Sequence, residues 1–291
     1  MSMKEAIIDV GSNSVRLMLW QDGKTVDKTA EITRLAENMG AQATLQPSAV
    51  ERTVRAVCFF YEKAKTFGAE CISVFATAAV RNAVNGKEFT DAVKERCGVV
   101  VDVISGQEEA TLGALGALNG GDGCVVDVGG ASSEIIVVKN GVTVYSHSLS
   151  VGAVTLTDNS RDKRDVAESI LRDKLSEYGK VPVDRHCEIY AIGGTATNVA
   201  AITLKLPVYD REKVHGYRLT VNGLKKLVNE LFATSVEKRD DIVGVQKGRG
   251  KIIACGTLLL LSIAEYLNAE EITVSESDNL EGYALSHRKD I

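Results

Sequence analysis

The chain has 291 residues, 45% hydrophobic and 25% charged, the balance of a globular protein long enough for two domains with a core each. Lys and Arg number 34 against 39 Asp and Glu, and the net charge of −5 argues against a general nucleic-acid binder. The most apolar run, 252–267, is too short and too interrupted for a membrane span, and no basic-then-apolar leader opens the chain, so a cytoplasmic protein without membrane attachment is expected.

In chain order, residues 7–19 (IIDVGSNSVRLML) read as an apolar strand ending in Asp9, a polar Gly/Ser loop and a second strand. Asp22-Gly23 is a two-residue hairpin signal leading into a third. A helix is predicted over 47–67, where Val50, Val54, Val57, Phe60 and Ala64 keep helical spacing and Gly68 is a stop. A β-rich run at 71–75 precedes the segment ATAAVRNAVNG (76–86), in which Arg81 is either a surface helix residue or a forked phosphate clamp. A helix through 87–96 and a strand at 99–104 follow. The run from Ser105 enters a helix with an acidic first turn; Glu108 and Glu109 are solvated acids favoured by the dipole or, at a domain junction, a general base. The glycine-rich stretch 119–123 reads as a linker or hinge.

Residues 125–137 (VVDVGGASSEIIV) then repeat the opening. Asp9 falls on Asp127, Val10 on Val128, Gly11 on Gly129 and Ser14 on Ser132 at one offset (127 − 9 = 118), and Asp22-Gly23 falls on Asn140-Gly141. Beyond it come a helix over about 162–178, a strand at 188–192 and the loop GGTATN (193–198). Helices at about 195–205, 221–233 and 251–267, a strand at 271–275 and a final helix from Leu280 complete the chain.

The chemistry follows from the repeat. Loops at 11–14 and 129–133 offer backbone N–H groups and hydroxyls without bulk, as phosphate cradles do. Asp9 and Asp127 end apolar strands, where a carboxylate caps the loop or holds a hard cation such as Mg²⁺. Glu134, on the return strand, is a second candidate carboxylate. His147, His186, His215 and His287 stand in no ligand or triad spacing. The nucleophile elbow GxSxG, the P-loop GxxxxGK[ST] and the dinucleotide fingerprint GxGxxG are all absent. The six scattered cysteines, none in a CxxC pair, read as reduced and mostly buried. Lys247, Arg249 and Lys251 read as a solvated loop rather than a basic track.

Five segments, IDVGSNSVRL (8–17), ATAAVRNA (76–83), VISGQEEATLGALGAL (103–118), VVDVGGASSE (125–134) and AIGGTATNVAA (191–201), together resemble the exopolyphosphatase/guanosine pentaphosphate phosphatase (Ppx/GppA) family in its short two-domain form. The resemblance implies an α/β fold of two duplicated ribonuclease-H-like (actin-like ATPase) domains around a central cleft. Residues 1–118 with about 280–291 would form the first domain and 119–279 the second. It also implies that Glu109 activates water, that Asp127 and Glu134 hold Mg²⁺ or another divalent cation or position the water, with Asp9 contributing from the opposite loop, and that Arg81 clamps phosphate. Ser12, Asn13, Ser14, Gly129, Gly130, Ser132, Gly193, Gly194 and Thr195 would contact substrate phosphates. The expected reaction is release of orthophosphate from the end of inorganic polyphosphate. The alternative is conversion of guanosine pentaphosphate to the tetraphosphate. An actin-like-fold kinase using ATP and a non-catalytic polyphosphate or nucleotide sensor are the further readings; Glu109, placed to act on water, favours hydrolysis. The family also leaves room for a homodimer, which nothing in the residues demands. Departures are Ala131 in place of a third loop glycine, Gly250-Lys251 after Arg249, and the 278–281 segment without its common Arg.

Overall fold

The computed structural model describes residues 3–40, 42–184 and 186–286; His287 and the rest of the segment to 291 lie outside them. The chain divides into two compact units, one running to Leu112 and resuming at Asn279, the other spanning Gly113–Asp278.

The first unit holds β1 (Lys4–Val10), β2 (Ser14–Gln21), β3 (Lys24–Ile32), α1 (Pro47–Phe67), β4 (Cys71–Ala76), α2 (Ala78–Asn82), α3 (Gly86–Cys97), β5 (Val101–Val103) and the start of α4 (Gly106–Leu118). Strands β1 to β3 form an antiparallel meander, β4 lies parallel to β1 and β5 parallel to β4, in the order β3-β2-β1-β4-β5. Successive strand residues point to opposite faces, and both faces are used. Ala6, Ile8 and Val10 of β1 join Val15 and Leu17 of β2 in a core with Val54, Val57 and Phe60 of α1 and Phe89 of α3. The alternate residues Ile7, Met18 and Phe75 pack with Ile104, Leu112, Leu280 and Tyr283.

The second unit contains β6 (Gly123–Val128), β7 (Ser133–Lys139), β8 (Val142–Leu149), α5 (Ala153–Ser160), α6 (Arg164–Leu175), β9 (Ile189–Ile192), α7 (Gly193–Thr203), α8 (Arg211–Val214), β10 (Arg218–Thr220), α9 (Val221–Ala233), α10 (Gly250–Tyr266) and β11 (Glu271–Val274). Its sheet, β10-β11-β9-β6-β7-β8, repeats the first: a meander β6-β7-β8, then β9 parallel to β6 and β11 parallel to β9, with β10 added antiparallel at the edge. Both meanders turn on left-handed pairs, Asp22 and Gly23 at φ 52° and 84°, Asn140 and Gly141 at 55° and 71°, as a type I′ hairpin requires. The two sheets are those of duplicated ribonuclease-H-like domains, the actin-like ATPase fold. The chain's last described element, α11 (Asn279–Ser286), belongs to the first unit, where Tyr283 stacks on Phe75 at 4.9 Å and Glu281 binds Lys28 at 2.6 Å.

The two compact units part inside α4, between Leu112 and Gly113, a few residues before the glycine-rich turn. Two expectations about the cysteines are corrected. Cys58 and Cys97 form a disulfide: α1 packs on α3 and brings their Cα atoms to 5.7 Å across 39 residues, a closeness no local spacing announces. Cys71 is exposed, at the outer end of β4, while Cys124 and Cys255 are buried as expected. Helix α5 had no counterpart in the sequence, since AVTLTDNS carries too little apolar periodicity to declare itself.

Candidate active site

In the first unit the expected residues gather at the C-terminal ends of β1 and β4 and the start of α4. Asp9 lies opposite Arg16 in the β1–β2 register, and the Arg16 guanidinium donates to its carboxylate through Nε and Nη2. The loop from Gly11 closes through the Gly11 N–H to the Ser14 carbonyl at 3.0 Å. Behind it, the N–H groups of Thr33 and Arg34 donate to the Asn13 carbonyl, and that of Ala36 donates to the Ser12 carbonyl. A segment without a recognisable motif thus sets the loop's shape.

Glu108 and Glu109 separate into different jobs. Glu108 Oε2 accepts the Ser105 N–H at 2.7 Å while Ser105 Oγ accepts the Glu108 N–H at 3.1 Å, a reciprocal capping box at the mouth of α4. Glu109 turns inward and accepts from Arg81 Nη1 at 2.9 Å; the same nitrogen donates to the Ile104 carbonyl. Burial pushes the Glu109 carboxyl above the usual carboxylate range; the Arg81 hydrogen bond and charge oppose this, Asp9 adds to it, and a hydrogen bond from Thr77 opposes it. Only 16% of the Glu109 side chain is exposed, enough for one face to meet a ligand. Arg81, expected as a phosphate clamp, is here the holder of the candidate base.

In the second unit the loop repeats, with the Gly129 N–H donating to the Ser132 carbonyl at 3.0 Å. Helix α5 does for this copy what 33–36 does for the other: the Ala153 N–H donates to the Gly129 carbonyl and the Val154 N–H to the Gly130 carbonyl. Asp127 and Glu134 face each other across the β6–β7 ladder. Glu134 is buried and accepts from Ser148 Oγ at 2.6 Å, while the neighbouring Ser133 carbonyl accepts from the buried Tyr178 hydroxyl at 2.9 Å. The run Gly193-Gly194-Thr195 is the first turn of α7, whose leading N–H groups have no partner within the helix and suit an anion. A side chain on Gly193 would collide with the Asp127 carboxylate, so that loop and this acid adjoin.

Arg249 is the residue that the sequence misplaced. It does not wave in a solvated loop: its guanidinium lies on Gly194, where any Cβ would overlap it, and its Nε donates to Gln246 Oε1 at 2.8 Å. Lys247, in the loop, and Lys251, in the first turn of α10, are exposed as expected. No local signal distinguishes Arg249 from them, because its partner lies more than fifty residues earlier.

Among the described residues, no group of three or more His, Cys, Asp or Glu side chains is arranged to hold a metal. The cross-strand pair Asp127 and Glu134 nonetheless suits Mg²⁺, which is commonly bound through one or two carboxylates with phosphate oxygens completing its shell. Asp9 fits less well, because Arg16 already meets its charge.

A fold of this kind, with duplicated Gly/Ser loops at the ends of acid-bearing strands and a buried carboxylate, is that of the actin-like ATPase class. The sequence profile of the Ppx/GppA phosphatase family matches residues 20–289, and the chain belongs to that family. By that membership it is a hydrolytic enzyme, a phosphatase. Exopolyphosphatase 2 of Mycobacterium tuberculosis is 29% identical, the match covering 97% of each chain. The guanosine-5'-triphosphate,3'-diphosphate pyrophosphatase of Photobacterium profundum is 28% identical over 95% of this chain but only 58% of its own. The crystal structure of the Aquifex aeolicus member of the Ppx/GppA family superposes with a TM-score of 0.83 at 31% identity, covering 100% of this chain and 99% of that one.

Proposed function

We propose that this protein is an exopolyphosphatase that removes the terminal phosphate of inorganic polyphosphate. What supports the substrate choice is the match to Exopolyphosphatase 2, 29% identical with 97% of each chain covered. In the proposed reaction Glu109 accepts a proton from water as the oxygen attacks the terminal phosphorus, and the bond to the bridging oxygen breaks, releasing orthophosphate and a shortened chain. Arg81 holds the Glu109 carboxylate in place. Backbone N–H groups of the Ser12–Ser14, Gly129–Ser132 and Gly193–Thr195 loops and the Arg249 guanidinium bind phosphate oxygens. Such loops supply the positioning and charge neutralisation on which phosphoryl transfer chiefly depends. Asp127 and Glu134 would hold Mg²⁺, which when bound neutralises charge on the phosphate oxygens.

The guanosine pentaphosphate reading stands beside it because the family contains both kinds of relative. Orthophosphate release from long-chain polyphosphate and from guanosine pentaphosphate, each with Mg²⁺, separates them. The proposal expects polyphosphate to be shortened from its end with the higher kcat/KM. A higher kcat/KM for guanosine pentaphosphate would transfer the assignment to that substrate, and release from neither would overturn both. As for surroundings, no helix among the described residues is long and apolar enough to cross a membrane.

A further inference from the structure

Arg249 reaches Gly194 from the turn that precedes α10, and side chains on α7, before that turn and within it hold it in place. Asn198, fully buried on α7 one turn beyond Gly194, donates from Nδ2 to the Gly244 carbonyl at 2.6 Å. At the far end of the turn, Asp240 Oδ1 accepts the N–H groups of Gly248 at 3.2 Å and Gly250 at 2.8 Å. Between these anchors Gln246 Oε1 receives Arg249 Nε. The path from α7 to the guanidinium therefore runs Asn198, Gly244, Gln246, Arg249, and returns to α7 at Gly194.

The chemistry of Asn198 bears on what this path is for. Its Oδ1 is buried and meets no hydrogen-bond donor among the described residues. A buried amide with an unmet oxygen costs stability relative to an apolar side chain of similar size. The amide is thus a poor core residue whose one product is the bond to Gly244. We propose that Asn198 is a positioning residue for the substrate: it fixes the 244–249 turn so that the Arg249 guanidinium stands against the first turn of α7, where both would meet one phosphate side by side. This inference rests on the assignment of Gly193–Thr195 and Arg249 as phosphate contacts.

The test is steady-state hydrolysis of long-chain polyphosphate by Asn198→Leu, Arg249→Ala and the double variant, with thermal melting of each. Asn198→Leu is expected to keep its Tm and its kcat while KM rises about tenfold, the size of one hydrogen bond to a charged group. Arg249→Ala should raise KM at least as much, and the double variant should be no worse than Arg249→Ala alone, since the two act through one contact. If Asn198→Leu melts early, Gln246→Met probes the same path from its exposed side and should raise KM likewise. An unchanged KM in Asn198→Leu and Gln246→Met, with KM raised in Arg249→Ala, would overturn the positioning role alone. So would effects that multiply in the double variant. An unchanged KM in Arg249→Ala would instead overturn the phosphate contact on which the inference rests.

Discussion

Glu109 stands between opposed influences: burial favours its neutral form, and the Arg81 guanidinium 2.9 Å away favours the carboxylate. Burial prevails, so the group loses its proton at a higher pH than an exposed glutamate does. A base must be ionised to work. Activity should therefore fall on the acid side at a pH above the ordinary carboxylate range. Replacing Arg81 with Leu removes the opposing influence and should move that acid limb to still higher pH, in addition to lowering kcat. The pH profile of kcat measures this; a limb that stays in place would show that Glu109 is not the titrating group. The residue pattern left Glu108 and Glu109 undivided and only the family resemblance singled out Glu109, yet Ser105 three residues before Glu108 is a capping-box spacing and was the available local clue. Arg249 carried no such clue, because a charge in a glycine-flanked loop looks the same whether it is solvated or folded back.

At the scale of elements, the duplicated hairpins were legible because their signals are local: alternating apolar residues and turn dipeptides that need positive φ. What holds the loops was not. The 33–36 segment and the start of α5 act through backbone N–H groups, which every residue but proline possesses, so no side-chain pattern marks them. The Cys58–Cys97 bond was hidden for a related reason, being a product of helix packing rather than spacing. Packing also makes a prediction about α11. A Cβ on Gly282 would overlap the Leu112 carbonyl of α4, and a helix backbone cannot yield as a flexible side chain would. Gly282→Ala should cost about 1–3 kcal/mol through overpacking and lower the Tm by several degrees. An unchanged melting curve would mean that the contact between α11 and α4 is looser than described.

Over the whole molecule, the fold follows from one unit used twice. Each copy provides a meander, parallel strands beside it, and a Gly/Ser loop at the end of an acid-terminated strand. The copies then diverge. In the first, Asp9 is matched by Arg16 on the return strand; in the second, Asp127 faces Glu134 at the corresponding place, two acids where the first copy has an ion pair. In the proposed reaction that asymmetry would place cation binding in the second unit and the proton-accepting Glu109 in the first. The net charge of −5 fits a protein that draws in a polyanion only through such local donors. Whether Glu109 activates the attacking water is read from single-turnover orthophosphate release from polyphosphate with Mg²⁺ by the wild-type chain and by Glu109→Gln. Glu109→Gln should lose about 10²- to 10⁴-fold in rate, as for removal of a positioned base, with polyphosphate binding largely retained. Equal rates in the two proteins would contradict a role for Glu109 as the base.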